Sequence, residues 1–260
     1  MRIEICDISK SIKAIKGSAM QRHDLVYLQA HESYDFMNNS LPASVTLAVE
    51  SMIASQQPLT VCRQDMPNVT KVATSYIKDG CKYRLALTLP NPPQVVTAPL
   101  ALAALIPQLP KDIQQHTQHF IERCTHLGCT AHVYGSFANQ YFTGLSFVKP
   151  TSDLDLLIVA NSDHVAPILL EIDAFTRLAS TLADLKIDGE IRLHGCDDVS
   201  FNELTCAIMF DIPTVLVKTL DDIKLQNIDV LLGWNTDDYE HFISAHTNTA
   251  TLLASDLAAY

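Results

Sequence analysis

The chain has 260 residues, of which 48% are hydrophobic and 18% are charged, with only 8 glycines and 12 prolines. This balance excludes disordered and fibrous proteins, and the length allows one large domain or two modest ones. The longest apolar stretch, residues 100–106, ends at Pro107 and is far shorter than the roughly 20 residues that cross a bilayer. Residues 1–20 lack the apolar core of a secretion signal. We therefore expect a cytoplasmic protein with no membrane partner.

The net charge of −11 is concentrated in the C-terminal part of the chain. Residues 1–100 hold 10 basic and 8 acidic side chains, whereas residues 101–260 hold 8 basic and 21 acidic ones. This acidity argues against a nucleic-acid partner, because nonspecific binding depends on Lys and Arg neutralising phosphates. It suits a site that concentrates a divalent cation, although solubility alone is an equally good reason for most of these acidic residues.

The seven cysteines give no sign of a disulfide framework or a zinc ribbon. Their number is odd, and no pair has the Cys-x-x-Cys spacing. Cys124 and Cys129 are the closest pair, but their spacing is unusual for zinc ligands. We predict that they are buried thiols and assign no metal to them.

The N-terminal part of the chain, from residue 45 to residue 89, has the pattern of strands and turns. Residues 59–63 and 83–89 alternate or run apolar, and Asp79-Gly80 is a strong turn signal. The proline-rich segment 90–93 then stops regular structure, because proline restricts its own torsion and that of its predecessor. These observations predict a small β-containing N-terminal domain, residues 1–95, followed by a larger domain, residues 96–260.

In the larger domain, helical and extended patterns alternate. Such alternation predicts a mixed sheet flanked by helices, of the α/β or α+β class. The predicted elements, in chain order, are a helix at 111–128, a strand at 130–134, a short helix to 141, a strand at 154–159, a helix at 166–183 and a strand at 187–193.

Two aspartates at the start of a predicted strand are the strongest chemical signal. Asp153 and Asp155 are two residues apart, so an extended strand places both side chains on one face, about 6.5–7 Å apart at the backbone. Two such carboxylates repel each other unless a cation lies between them. Magnesium is typically held by one or two carboxylates together with substrate phosphates. The pair therefore predicts a Mg²⁺ site that also receives a nucleotide phosphate.

Gly135-Ser136, at a predicted strand-to-helix turn, supplies a complementary anion site. Glycine lets a phosphate approach the backbone, and amides at a helix start favour anions. A third carboxylate should come from the next strand, where Asp188 and Glu190 are both candidates. Either could complete the metal site or accept a proton from an attacking hydroxyl.

These segments resemble the malonate decarboxylase holo-acyl-carrier-protein synthases, also called phosphoribosyl-dephospho-CoA transferases. The most specific part of the resemblance is residues 133–140 (VYGSFANQ) with residues 152–157 (SDLDLL). Phe201 departs from the family, where a tryptophan is expected, and residues after 227 match nothing in it. The remaining matching segments are residues 22–28 (RHDLVYL), 58–63 (PLTVCR), 84–87 (RLAL), 188–191 (DGEI), 202–204 (NEL) and 215–219 (VLVKT).

The resemblance implies a nucleotidyltransferase-type fold and a specific reaction. The family transfers a prosthetic group from triphosphoribosyl-dephospho-CoA to a serine of the acyl carrier protein of malonate decarboxylase and releases diphosphate. By resemblance, Asp153 and Asp155 hold Mg²⁺, and Gly135 and Ser136 bind the departing phosphates. The remaining implied site residues are Asp188 or Glu190 as the third carboxylate, and Lys218 and Arg22 as substrate contacts.

Two other functions are compatible with these residues. One is a different metal-dependent nucleotidyltransferase that uses ATP, because it would need the same carboxylates. The other is a non-catalytic module that binds the carrier protein, although the presence of Gly135, Ser136, Asp153, Asp155 and Glu190 argues against a decayed site.

Overall fold

The computed structural model describes residues 20–38, 40–160 and 164–257, with side chains described as far as residue 248. The chain divides into two compact units between Pro99 and Leu100. Each unit contains its own sheet and at least one helix, so the mixed α/β class is confirmed. The expectation that the N-terminus carries no secretion signal concerns residues 1–19, which lie outside the described residues. None of the described helices combines the length and the apolar character needed to cross a bilayer.

An antiparallel six-stranded sheet forms most of the N-terminal unit. Its strands are β1 (Leu25–Val26), β2 (Asp35–Phe36), β3 (Leu59–Val61), β4 (Thr70–Lys78), β5 (Cys81–Leu89) and β6 (Val96–Thr97), in the order β2-β5-β4-β3-β1-β6. Asp79 and Gly80 have φ values of 51° and 76° and join β4 to β5, with Lys78 paired to Cys81. Two consecutive positive φ angles are what a tight hairpin needs, so the turn prediction is confirmed.

Helix α1 (Ala43–Ala54) corrects the prediction of strands and turns from residue 45 onward. Its β-branched residues favour a strand by propensity, which explains the error. The buried side chains Val45, Val49 and Ile53, however, recur every four residues and therefore form one face of a helix. Packing of this face overrides the local preference of the individual residues.

A mixed seven-stranded sheet forms the centre of the C-terminal unit. Its strands are β7 (Leu100–Ala101), β8 (Thr130–Val133), β9 (Leu154–Val159), β10 (Ile187–Leu193), β11 (Asp197–Ser200), β12 (Thr214–Lys218) and β13 (Ile223–Asn227), in reverse chain order from β13 to β7. Strands β9 and β10 run parallel, and all other neighbours are antiparallel. The predicted limits of β9 and β10 are confirmed.

Helices pack on the apolar face of this sheet. They are α2 (Leu102–Leu105), a short 3-10 helix (Ile106–Gln108), α3 (Lys111–His126), α4 (Gly135–Thr143), α5 (Val165–Ala183), α6 (Phe201–Met209), α7 (Ile228–Leu232) and α8 (Thr236–Leu257). Phe120 of α3 and Phe175 of α5 stack with ring centroids 4.6 Å apart. The segment after residue 227, which resembles nothing in the family, still contributes Phe242 of α8 to the same core.

Strands β9 and β10 approach each other too closely for a side chain at Gly189. This residue pairs with Leu156, and a Cβ added to it would lie 1.9 Å from the Leu156 carbonyl oxygen. A backbone atom cannot yield as a flexible side chain does. Glycine is therefore required here, and it keeps the carboxylate-bearing strands in register.

We expect Cys124 to resist alkylation while the protein is folded. Burial raises the pKa of its thiol to about 12, so its thiolate fraction near pH 8 is on the order of 10⁻⁴. Reactivity should rise with pH as the thiolate forms, and unfolding in urea should abolish the protection. Iodoacetamide labelling followed by peptide mass spectrometry tests this, with the exposed Cys81 as the reactive reference. Equal labelling of both residues in the native protein would contradict the burial.

Candidate active site

The carboxylate of Asp155 lies directly against the start of helix α4. The Tyr134 backbone N–H, which precedes this helix, donates to the Asp155 carbonyl oxygen at 3.1 Å. Gly135, the first residue of the helix, has φ 68°, and a Cβ added to it would lie 1.9 Å from Asp155 Oδ2. The structure thus brings together the Gly-Ser turn and one of the two predicted metal ligands, and only glycine leaves room for this approach.

Asp153 immediately precedes β9. Partly exposed and buried side chains alternate along residues 153–156, as the sequence predicts. Asp153 and Asp155 are partly exposed, whereas Leu154 and Leu156 are buried in the core. Within β9 this alternation places Asp155 on the face opposite the core, whereas Asp153 precedes the strand, so the shared face of the two aspartates stays a prediction. A turn orders the chain just before them, since the Lys149 backbone N–H donates to Ser152 Oγ at 2.9 Å.

Asp188 is the immediate neighbour of Asp155 across the sheet. The two residues are register partners in the parallel pair β9–β10, so their side chains leave the sheet on the same face. Asp188 is exposed, and its Oδ1 accepts from the Gly189 backbone N–H at 2.7 Å and from Asn202 Nδ2 at 3.2 Å. Its Oδ2 has no hydrogen-bond partner among the residues that the structure describes.

Glu190 lies on the same face, two residues further along β10, but its charge is already paired. Its Oε1 accepts from Lys218 Nζ at 2.7 Å. Glu190 is therefore less suited than Asp188 to hold a cation, because the ammonium group neutralises its carboxylate. The Lys218 ammonium is thus engaged by Glu190. Its predicted contact with a phosphate stays a prediction.

A buried ion pair next to these residues was missed by sequence reasoning. Arg192 Nε and Nη2 donate to Asp198 Oδ1 at 2.6 Å and to Oδ2 at 2.9 Å. Such bidentate pairing neutralises both charges and fixes β10 against β11. The signal that could have found it is the polar residue at every second position of β10, namely Asp188, Glu190 and Arg192.

Residues 202–204 resemble the family, but the sequence predicts no function for them. In the structure this segment contacts the site. Asn202 binds Asp188, as described above. Glu203 Oε1 accepts from the Leu216 backbone N–H at 2.9 Å, and the Glu203 backbone N–H donates to the helix-capping Ser200 Oγ at 3.3 Å. The start of α6 is therefore attached to both β10 and β12. Phe201, the departure from the family pattern, is fully buried in the core.

Gln140 and Thr143 shape the loop that follows α4. The Val148 backbone N–H donates to Gln140 Oε1 at 2.9 Å. Thr143 Oγ1 donates to the Asn139 carbonyl oxygen at 2.7 Å and accepts from the Leu145 backbone N–H at 3.1 Å. These bonds hold the loop that returns the chain to β9.

Arg22 belongs to the N-terminal unit. Its Nη2 lies 3.3 Å from His23 Nε2. The predicted contact of Arg22 with the substrate stays a prediction.

The carboxylates at the start of β9 and β10 have the chemistry that Mg²⁺ prefers. Asp153, Asp155 and Asp188 offer only oxygen ligands, and hard divalent cations bind such ligands. The oxygen of Asp188 that has no partner among the described residues is a coordination position of the expected kind. The donor chemistry therefore suits the predicted metal, but among the described residues the ligand atoms of these three carboxylates do not all lie within 4.8 Å of one another.

Comparison with known proteins shows that most of the predicted site residues lie within one domain of a known family model. Residues 101–228 match the sequence model of the phosphoribosyl-dephospho-CoA transferase MdcG C-terminal domain. This range includes each predicted site residue except Arg22. No solved structure matches the chain significantly.

Three curated relatives share the name phosphoribosyl-dephospho-CoA transferase. Those from Xanthomonas axonopodis pv. citri (strain 306) and Xanthomonas euvesicatoria pv. vesicatoria (strain 85-10) are each 28% identical over 209 residues. The protein from Xanthomonas campestris pv. campestris (strain 8004) is 27% identical over 208 residues. Each alignment covers 78% of this chain and 92% of the relative. The resemblance found in the sequence is thus confirmed: residues 101–228 are similar to the phosphoribosyl-dephospho-CoA transferase MdcG C-terminal domain, and 78% of the chain aligns with relatives of that name.

Proposed function

We propose that this chain transfers a phosphoribosyl-dephospho-CoA group from triphosphoribosyl-dephospho-CoA to a serine of the acyl carrier protein of malonate decarboxylase, with release of diphosphate. The names of the curated relatives support the transferase activity. The observation that carries the proposal is the contact of Asp155 with the helix start at Gly135, with Asp188 in register beside it. This arrangement joins a cation site to an anion site, as transfer from a triphosphate requires.

In this proposal, Asp153, Asp155 and Asp188 hold Mg²⁺. When bound, the ion supplies positive charge that offsets the charge of the triphosphate. We assign the third carboxylate to Asp188 rather than Glu190, because Lys218 already neutralises Glu190. Glu190 and Lys218 then act as a pair that keeps β10 and β12 in place.

The start of α4 binds the departing phosphates. Backbone N–H groups at the first turn of a helix have no intrahelical acceptor, and the helix dipole favours anions there. Gly135 allows close approach to the backbone, and the Ser136 hydroxyl is a further donor.

The transfer exchanges one phosphorus–oxygen bond for another. The serine hydroxyl oxygen of the carrier forms a bond to the α-phosphorus, and the bond from this phosphorus to the bridging oxygen breaks. Diphosphate leaves with the electron pair of that bond, and the hydroxyl proton passes to a carboxylate on the same face of the sheet. The protein contributes position and charge rather than covalent chemistry.

A labelling experiment with two donors tests this function. The full chain is mixed with Mg²⁺, the carrier protein and either triphosphoribosyl-dephospho-CoA or ATP, and the intact mass of the carrier is measured. We expect the carrier to gain one phosphoribosyl-dephospho-CoA group from the first donor only. A carrier whose acceptor serine is replaced by alanine should gain nothing, and EDTA should stop the reaction.

The other outcomes identify the competing functions. Transfer of an adenylyl group from ATP would indicate a different nucleotidyltransferase. A stable complex with the carrier, without any mass change under either donor, would indicate a non-catalytic binding module. Either result would overturn the proposed reaction.

A further inference from the structure

We infer that Asn202 is a positioning residue that holds the Asp188 carboxylate in the orientation needed for a divalent cation. The inference rests on the proposed metal-dependent function and assigns a new residue to that site.

Both hydrogen bonds to Asp188 fall on the same oxygen. The Gly189 backbone N–H reaches Oδ1 at 2.7 Å, and Asn202 Nδ2 reaches it at 3.2 Å. Within the described part of the chain, Oδ2 accepts no hydrogen bond, and the residue is exposed. A carboxylate bonded in this way has one oxygen fixed by the protein and one oxygen left for a ligand.

The amide of Asn202 is itself held in place by a well-anchored helix. Asn202 follows Phe201, which is buried, and Leu204 two residues later is also buried. The next residue, Glu203, bonds the β12 backbone through its side chain and the Ser200 side chain through its N–H. The donor therefore sits on a packed element rather than on a loop, as a positioning group requires.

The lack of charge on Asn202 distinguishes Asp188 from the next carboxylate on the same strand. Lys218 orients Glu190 but also neutralises it. An amide orients a carboxylate and leaves its negative charge available to a cation. The terminal torsion of aspartate is broad, so without the Asn202 bond the Asp188 oxygens would sample more orientations. Removing a residue that hydrogen-bonds to a metal ligand typically weakens metal binding by about 10–100-fold.

Replacing Asn202 by alanine tests this role through metal binding. We expect Asn202→Ala in the full chain to raise the dissociation constant for Mn²⁺, used as a spectroscopic substitute for Mg²⁺, by about 10-fold or more. Asn202→Leu should weaken binding to a similar extent, because it removes the donor while nearly keeping the size of the side chain and adding no charge. Electron paramagnetic resonance of free Mn²⁺ measures the affinity without any need for turnover.

The control variant is Asn91→Ala, which removes an amide from an exposed loop of the N-terminal unit. It should leave both Mn²⁺ affinity and thermal stability unchanged. For Asn202→Ala, transfer measured at saturating metal should recover most of its wild-type rate, whereas transfer at low metal should not.

The outcomes separate this inference from the proposed function. A lower melting temperature of Asn202→Ala with unchanged Mn²⁺ affinity would show that Asn202 only stabilises the fold, and would overturn the inference. A wild-type protein that binds no Mn²⁺ would overturn it as well. A protein that binds Mn²⁺ in an Asn202-dependent way but transfers nothing to the carrier would support the inference and contradict the proposed reaction.

Discussion

Replacing Asp155 by asparagine should reduce transfer to the carrier protein by about 10³-fold or more while the protein stays folded. The substitution keeps the shape of the side chain but removes the charge that lies against the start of α4. It also removes a hard anionic ligand from the proposed metal site, and charge stabilisation is usually the largest contribution to this type of catalysis. The initial rate of mass gain by the carrier, measured with saturating donor and Mg²⁺, gives the size of the loss.

The matched control for this variant is Asp79→Asn. Asp79 is exposed in the β4–β5 turn and has φ 51°, a conformation that asparagine adopts readily. We expect this control to transfer at the wild-type rate. The melting temperature of Asp155→Asn should remain within a few degrees of wild type. A well-folded Asp155→Asn protein with unchanged turnover would remove Asp155 from the active site.

The elements that carry the site were predictable because their signals are local. Strand β9 is a short apolar segment with a polar residue near its start, and β10 alternates between apolar and polar residues, so their limits could be read from the sequence. The alternation that places Asp155 on the face opposite the core also needs nothing beyond the strand itself. Helix α1 was missed because its β-branched residues and its four-residue period point to different structures, and only packing decides between them.

The choice of the third carboxylate could not be made from the sequence, because it depends on partners far along the chain. Asp188 and Glu190 both lie on the outward face of β10 and look equivalent in the sequence. They differ because Asn202 reaches Asp188 from α6, whereas Lys218 reaches Glu190 from β12. These contacts depend on the order and register of strands β10 to β12, which no local pattern encodes.

On this face of the sheet, strands β10 and β11 carry three carboxylates in three electrostatic states. Asp188 has a neutral partner, Glu190 has a partly exposed ammonium partner, and Asp198 has a buried bidentate guanidinium partner, Arg192. A cation is attracted by net negative charge, and a paired carboxylate contributes little of it. Of the three, Asp188 is the one suited to ligand binding, and the two ion pairs hold neighbouring strands together.

Replacing Gly135 by alanine should reduce transfer by about 100-fold or more, since it adds an atom where the Asp155 carboxylate now lies. The new Cβ would be 1.9 Å from Asp155 Oδ2 and 2.8 Å from Asp155 Cγ, so the carboxylate must move. A displacement of about 1 Å at a reacting centre can cost on the order of 10²-fold in rate. Because Gly135 has φ 68°, alanine also brings a backbone cost of about 1–2 kcal/mol in the free energy of unfolding.

Helix α4 provides the control that separates these two effects. Gly144, at its other end, also has φ 68°, but a Cβ added there would meet nothing within 4 Å. Gly144→Ala should therefore show the backbone cost alone, measured by urea unfolding, and should keep near-wild-type transfer. The comparison isolates the contact with Asp155, because the two variants share the same change and the same torsion. Equal losses of transfer in both variants would mean that the strained backbone, and not the position of the Asp155 carboxylate, limits the reaction.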